Sequence, residues 1–252
     1  MPTLSLYPDD TFITSYPKSG NTWVRFFVAN LLRGDDSTDF TNLDQCVPDL
    51  AKIDVSALAL LPRPRFIKSH DPFTPQFPRV LYLVRDVRAV VTSYYRQRLR
   101  MGVIPPETPI ADFVRMFLDG SVAQFGPWDA HVAGWVNGRA ANTPANPFLL
   151  VRYEDMMSKS PETFRAIAAF LRLDSGEAAV EKALALTSFE RMRKLEEQAG
   201  RAWPEKKNAK DLSIPFMYSG QTDSWRRDLD EGSRRLLEAR FGGLLSRLGY
   251  DV

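Results

Sequence analysis

The chain has 252 residues, 44% hydrophobic and 25% charged, which suits one compact domain with a sizeable core. A formal net charge of +2 excludes a general polyanion binder, so any anion site has to come from local clustering. Cys46 is the single cysteine, which rules out an intrachain disulfide and makes a reducing cytoplasm the expected setting.

The first apolar run predicts a strand over Thr11–Ser15, broken at Pro17, and the periodic segment after it predicts a helix over Thr22–Leu32. Short apolar strands are predicted at Arg65–Ser69 and Val80–Val84, then helices over Val87–Arg100, Ile110–Leu118 and Trp128–Gly138. A fourth strand is predicted over Phe148–Arg152. Helices follow over Pro161–Leu171, Glu177–Leu186, Ser188–Gln198 and Glu231–Leu248, with Pro161 in the tolerated first position after Ser160. Gly102–Pro109 and Gly200–Trp225 read as long irregular stretches, the kind used as binding loops or lids. Alternating strands and helices predict an α/β fold, a central parallel sheet flanked by helices in a single domain. The beginning of the chain, with Asp9 and Asp10, lacks a basic-then-apolar leader pattern, and no run approaches 18 apolar residues. Neither a membrane nor a nucleic-acid partner is expected. His70 and His131, the only histidines, lie too far apart for a local zinc motif, so no metal is expected.

Ligands of open parallel sheets bind at the carboxyl ends of the strands, and three polar clusters fall there: Lys18–Thr22, Lys68–His70, and Arg85 with Ser93 on the following helix. Tyr-Pro-Lys-Ser-Gly-Asn-Thr-Trp (Tyr16–Trp23) is a strand–loop–helix start of the sort that binds phosphate, with loop amides and helix dipole aimed at one spot. Gly20 permits close approach, Ser19 and Thr22 offer hydroxyls, and Lys18 offers an ammonium. The order is not that of G-x-x-x-x-G-K-[ST], which the chain lacks; taken alone, the stretch also fits an ordinary strand–turn–helix with a solvated lysine.

Tyr16–Trp23 resembles the phosphosulfate loop of the cytosolic-type sulfotransferases, which move a sulfuryl group from 3′-phosphoadenosine-5′-phosphosulfate (PAPS) to an acceptor hydroxyl or amine. Phe66-Ile67-Lys68-Ser69-His70-Asp71-Pro72 resembles the family's Lys-Thr-His segment, whose histidine takes the acceptor's proton. The resemblance implies His70 as general base, with Lys18, Lys68 and Ser93 handling developing charge; alone, His70 fits a strand-end group bonding a carbonyl. Leu81–Tyr95 matches the family's 3′-phosphate site, with Arg85 ending the strand and Ser93 eight residues on. A guanidinium fork suits a phosphomonoester; taken alone, the stretch also fits a surface Arg–Asp pair on an amphipathic helix. Phe148–Met156 matches the strand before the family's Tyr-Glu-Asp, and Thr187-Ser188-Phe189 its Thr-Ser-Phe, which imply nucleoside contacts from Tyr153, Thr187 and Phe189 beside Trp23. Trp128 and His131 also echo the family and are read as packing, with acceptor-side contact as the alternative.

The match fails in one place. The family's Arg-Lys-Gly-x-x-Gly-x-Trp-Lys segment, two of whose cations grip the 3′-phosphate, aligns here with Tyr218-Ser219-Gly220-Gln221-Thr222-Asp223-Ser224-Trp225-Arg226. Gly220 and Trp225 persist; Tyr and Ser replace the cations, leaving Arg226 or Arg227 to compensate, or weaker donor binding. The resemblance implies one sulfotransferase domain over residues 1–252, PAPS as co-substrate without metal, and a small-molecule acceptor. Acceptor contacts are expected from Phe73, Phe77, the Met101–Phe125 region and the Gly200–Tyr218 loop. A nucleotide-dependent kinase on a related fold and a non-catalytic nucleotide-binding module stay open as alternatives. Acceptor identity and oligomeric state are not legible in the sequence.

Overall fold

Four short apolar segments pair in parallel in the order β2-β1-β3-β4: β1 Thr11–Ser15, β2 Phe66–Ser69, β3 Arg79–Val84 and β4 Phe148–Arg152. The computed structural model describes residues 5–140, 143–173, 176–203 and 207–252. β1 is buried throughout and β3 from Val80 onward, the near-continuous apolar reading expected of parallel strands covered on both faces.

Successive side chains point to opposite faces, and the two cores separate along that alternation. Phe12, Ile67, Val80 and Tyr82 join one cluster, with residues from helices α4 (Val87–Arg100), α5 (Ile110–Leu118), α6 (Trp128–Gly138) and the C-terminal helix Glu231–Arg247. Ile13, Phe66, Leu81, Leu83 and Val151 join the other, with α1 (Asn21–Arg33), Ser160–Leu171 and Gly176–Ala185. A third cluster, with Phe26, Phe40, Met192 and Trp203, ties α1 to the Gly200–Trp225 stretch through Phe216 and Met217.

Helix starts follow local chemistry. Asp86 caps α4 by accepting from the Arg88 amide at 2.9 Å, and Ser188 caps the helix Phe189–Ala199 by accepting from the Arg191 amide. The predicted strands and long helices are present within a residue or so at each end. Short helices at Leu43–Cys46 (α2), Val55–Ala59 (α3), Tyr153–Ser158 and Trp225–Asp228 were not anticipated. At one turn or so they are too brief to show a period, and packing holds them. The Gly200–Trp225 stretch opens with a 3₁₀ turn over Gly200–Ala202; residues 204–206 of it lie outside the described residues.

With this strand order, β1 connects outward to β2 and the chain then crosses back past β1 to β3, so the crevice above the carboxyl ends of β1 and β3 is the switch point where ligands bind in open sheets. The loop 16–20 and Arg85 emerge on either side of it.

Candidate active site

After β1 the chain turns sharply through Lys18 (φ 72°) and Gly20 (φ 95°) into α1. A non-glycine residue at positive φ is strained, and such strain concentrates where geometry serves binding. Gly20 is required twice over: its φ suits glycine, and a Cβ there would come within 2.8 Å of the Tyr153 ring and 2.9 Å of Met156. Asn21 Nδ2 donates to Ile13 O at 3.0 Å and to Ser15 Oγ at 3.3 Å, tying the first turn of α1 back onto β1. Asn21 Nδ2 is thus spent on the loop's shape while Oδ1 is buried without a partner among the described residues, and the main-chain N–H of Asn21 is what remains to donate to a ligand.

The amides of Ser19, Gly20, Asn21 and Thr22 make no main-chain hydrogen bond among the described residues. Ser19 Oγ and Trp23 Nε1 are likewise buried without a partner there. Orphaned buried donors cost roughly 1–3 kcal/mol each. Their gathering at a helix N-terminus fits an anionic, phosphate-bearing ligand. The Lys18 ammonium lies 4.3 Å from the Phe216 ring centroid, so the Gly200–Trp225 stretch reaches over this loop.

His70, just past β2, is partly exposed. Its Nδ1 lies 2.7 Å from Ser15 O, an acceptor, so Nδ1 carries the proton and Nε2 keeps its lone pair. The strand-end carbonyl bond and the role of base are therefore compatible: the bond selects the tautomer a base needs. Burial, then the nearby Lys68 charge, hold the imidazole pKa well below its ordinary value. Lys68 is itself paired with Asp49 at 2.6 Å. Phe125 faces the His70 ring at 5.4 Å between centroids.

Beneath His70 sits a support that sequence reading took for packing. His131 is 2% exposed; its Nε2 donates to the His70 carbonyl at 3.1 Å, and its Nδ1 accepts from the Tyr82 hydroxyl at 2.9 Å. Four residues on, Trp135 Nε1 donates to the Asp71 carbonyl at 3.0 Å. One face of α6 thus holds two successive carbonyls, and the i, i+4 spacing of His131 and Trp135 was the available signal.

Arg85 is the hub of a second group of contacts around the loop. Nη1 donates to Lys18 O at 3.1 Å and Nη2 to Gln221 O at 3.3 Å, while the guanidinium stacks 4.1 Å from the Tyr153 ring centroid. Asp86 is taken by Arg88 at 2.8 Å, which removes the surface Arg85–Asp86 pair. Tyr153 also meets Trp23 edge-on at 6.1 Å. Gly220 lies against Phe189, where a Cβ would come within 2.8 Å of the ring. Lys18, Gly20, Trp23, Arg85, Tyr153 and the Phe189–Gly220 pair are thus connected by direct contacts. Ser93 lies on α4 and is partly exposed. Thr22 is half-buried on the first turn of α1. Thr187, 1% exposed, donates to Leu184 O at 3.0 Å and makes no hydrogen bond to the loop.

Three expectations need correcting. Phe77 is not an acceptor wall; it is 3% exposed and stacks on Phe12 at 3.6 Å, because it faces the sheet. Within Met101–Phe125, Ile104, Phe113, Val114, Phe117 and Val122 belong to the core. Arg226 stacks on Trp225 in a groove with Arg88 and Glu238, and Arg227 bonds Asp228 from an exposed position, so neither turns towards Arg85.

A family model described as "Sulfotransferase domain" matches residues 8–249. Sulfotransferase 1B1 of Canis lupus familiaris is 32% identical over 202 residues, covering 74% of this chain and 67% of the relative. Sulfotransferase 1E1 of Bos taurus is 29% identical over 234 residues, covering 87% and 77%. Retinol dehydratase, solved with retinol and PAP, superposes with a TM-score of 0.80 at 20% identity, covering 99% of this chain and 84% of that one. Mouse sulfotransferase SULT7A1, solved with PAP, gives a TM-score of 0.72 at 21% identity, covering 96% and 85%.

Proposed function

Because this chain belongs to the sulfotransferase family and is thereby a PAPS-dependent transferase, we propose that it sulfates a small hydroxyl-bearing acceptor with His70 as general base. The observation that carries this reading is the convergence, at one end of β1, β2 and β3, of an anion-accepting loop, an imidazole with a free Nε2, and Arg85. A kinase has no use for Arg85 beside Ser93, and a binding module has no need of His70.

PAPS brings the sulfuryl group and leaves as the 3′,5′-bisphosphate. His70 Nε2 takes the acceptor's hydroxyl proton as the new O–S bond forms in line with the one that breaks. Lys18 and the loop amides, with the Ser19 and Thr22 hydroxyls, neutralise charge building on the departing phosphate. Lys68 helps keep His70 neutral and so able to accept. Arg85 and Ser93 hold the 3′-phosphate, with Gly220 letting the chain approach; Trp23, Tyr153 and Phe189 flank the purine, and Thr187 supports it from below. Most of the rate comes from positioning and fixed charge.

Phe125 beside His70 supports a partly apolar acceptor. Retinol dehydratase, a structural neighbour, was solved once with retinol and once with androsterone, which is consistent with that class. One domain over residues 1–252 in a reducing, cytoplasmic setting fits the single cysteine. The test is labelled PAPS with a panel of phenols, alcohols and amines, reading products by mass. Sulfated product supports the reading; retention of the bisphosphate without turnover of any acceptor makes the chain a binding module.

A further inference from the structure

The segment that carries two phosphate-gripping cations elsewhere in the family has Tyr218 and Ser219 here, yet it lies where such a segment is needed. Gly220 packs on Phe189, and the next residue, Gln221, accepts from Arg85 at 3.3 Å. The sequence left Arg226 and Arg227 as substitutes, and the structure turns both away.

We propose that Arg96, on α4, supplies the missing cation and is a specificity-determining residue for the donor's 3′-phosphate. The inference rests on the donor reading above. Arg96 follows Ser93 by three residues, so the two share a helix face. Its guanidinium lies 3.6 Å from the Tyr218 ring centroid, against the very residue that replaces the family's arginine. Nη2 donates to Asp228 at 2.7 Å and Nη1 to Thr92 O at 3.4 Å, and the side chain is 17% exposed. Arg96 and Arg85, both from the β3–α4 unit, thus bracket the segment from two sides: Arg96 at Tyr218, Arg85 at Gln221.

The exchange has a physical logic. A cation on a loop has to be ordered each time it grips; a guanidinium stacked on an aromatic ring and braced by a carboxylate is already ordered, so less entropy is lost on binding. Tyr218 then acts as a platform for a helix-borne charge. Asp228, shared with Arg227, tempers that charge while the site is empty of anion and competes with the phosphate.

Calorimetry with two nucleotides tests this: adenosine 3′,5′-bisphosphate (PAP) and 5′-AMP, which lacks the 3′-phosphate. Arg96→Ala should weaken PAP by about 10- to 100-fold, the loss of one charge-assisted contact, and leave 5′-AMP within about twofold. Unchanged PAP affinity, or equal loss for both nucleotides, overturns the inference. Asp228→Asn keeps Arg96 and removes its competitor, so it should tighten PAP several-fold and 5′-AMP not at all; weaker PAP binding would also overturn it. The two readings fail separately. A wild-type protein that does not prefer PAP to 5′-AMP sinks the donor reading, whereas a preference that survives Arg96→Ala sinks only the role of Arg96.

Discussion

His131 donates from Nε2 to the main-chain carbonyl of His70 across 3.1 Å, so one imidazole fixes the backbone that carries the other. The same ring accepts from Tyr82 on β3, which anchors the proposed base to the central sheet through a buried chain of hydrogen bonds.

That chain makes stability depend on pH. Burial lowers the His131 pKa from 6.5 to about 4, so between those values the unfolded chain binds the extra proton and the folded one does not. The stabilisation is fully present above pH 6.5 and lost as pH falls to about 4, up to roughly 3 kcal/mol. His131→Gln can keep both hydrogen bonds without titrating. Denaturant unfolding at pH 7 and pH 4.5 should show the variant near wild type at pH 7 and losing less on acidification. His131→Leu should lose about 1–3 kcal/mol already at pH 7, since the His70 carbonyl and the Tyr82 hydroxyl lose their partner.

His70→Ala should lower turnover by about 10²–10⁴-fold with PAP affinity nearly intact. Wild-type turnover under conditions where chemistry is limiting would make His70 purely structural. Because its pKa lies well below the ordinary value, activity should persist on the acid side below pH 6.5. Lys68→Met removes a charge that holds that pKa down, so the acid limb of the pH–rate profile should move to higher pH. A limb that stays in place would dissociate Lys68 from the base.

Gly20→Ala forces a Cβ against Tyr153 and Met156 from a left-handed backbone. The loop has to shift, at a cost of about 1–3 kcal/mol, and PAP binding should fall together with the melting temperature. An unchanged melting temperature with normal PAP affinity would mean that the loop does not hold this shape in solution.

Tyr218→Arg with Ser219→Lys restores the family's loop cations. With Arg96 present, the new arginine meets a like charge at its old stacking partner, so the gain in PAP affinity should be small. Placed in the Arg96→Ala background, the same pair should recover most of the lost affinity. The recovery should shrink as salt rises, because charges in the partly exposed loop are screened over about 8 Å at physiological ionic strength. Titrations at low and high salt check both points.

The strands Thr11–Ser15 and Phe148–Arg152 and the helices Val87–Arg100, Ile110–Leu118 and Trp128–Gly138 were legible to the residue. Their signals are local: an apolar run, a 3.6-residue period, a cap such as Asp86, a breaker such as Pro17. The shape of the loop before α1 and the place of Arg85 at the end of β3 were legible for the same reason, since strand end, glycine and helix start follow one another along the chain. Contacts between distant segments were not. Tyr82, His131 and the His70 carbonyl come from β3, α6 and the end of β2, and only the sheet order β2-β1-β3-β4 brings them within hydrogen-bond reach. Phe77 looked like a pocket wall and is core, because which way a loop aromatic turns is decided by the surface it can bury against. Arg96 was not singled out by any local signal; its contact is with Tyr218, 122 residues later in the chain. Residue type and period determine which segments are strands, helices and tight turns between them; which side chain meets which is set by packing, a property of pairs that a one-dimensional pattern does not contain.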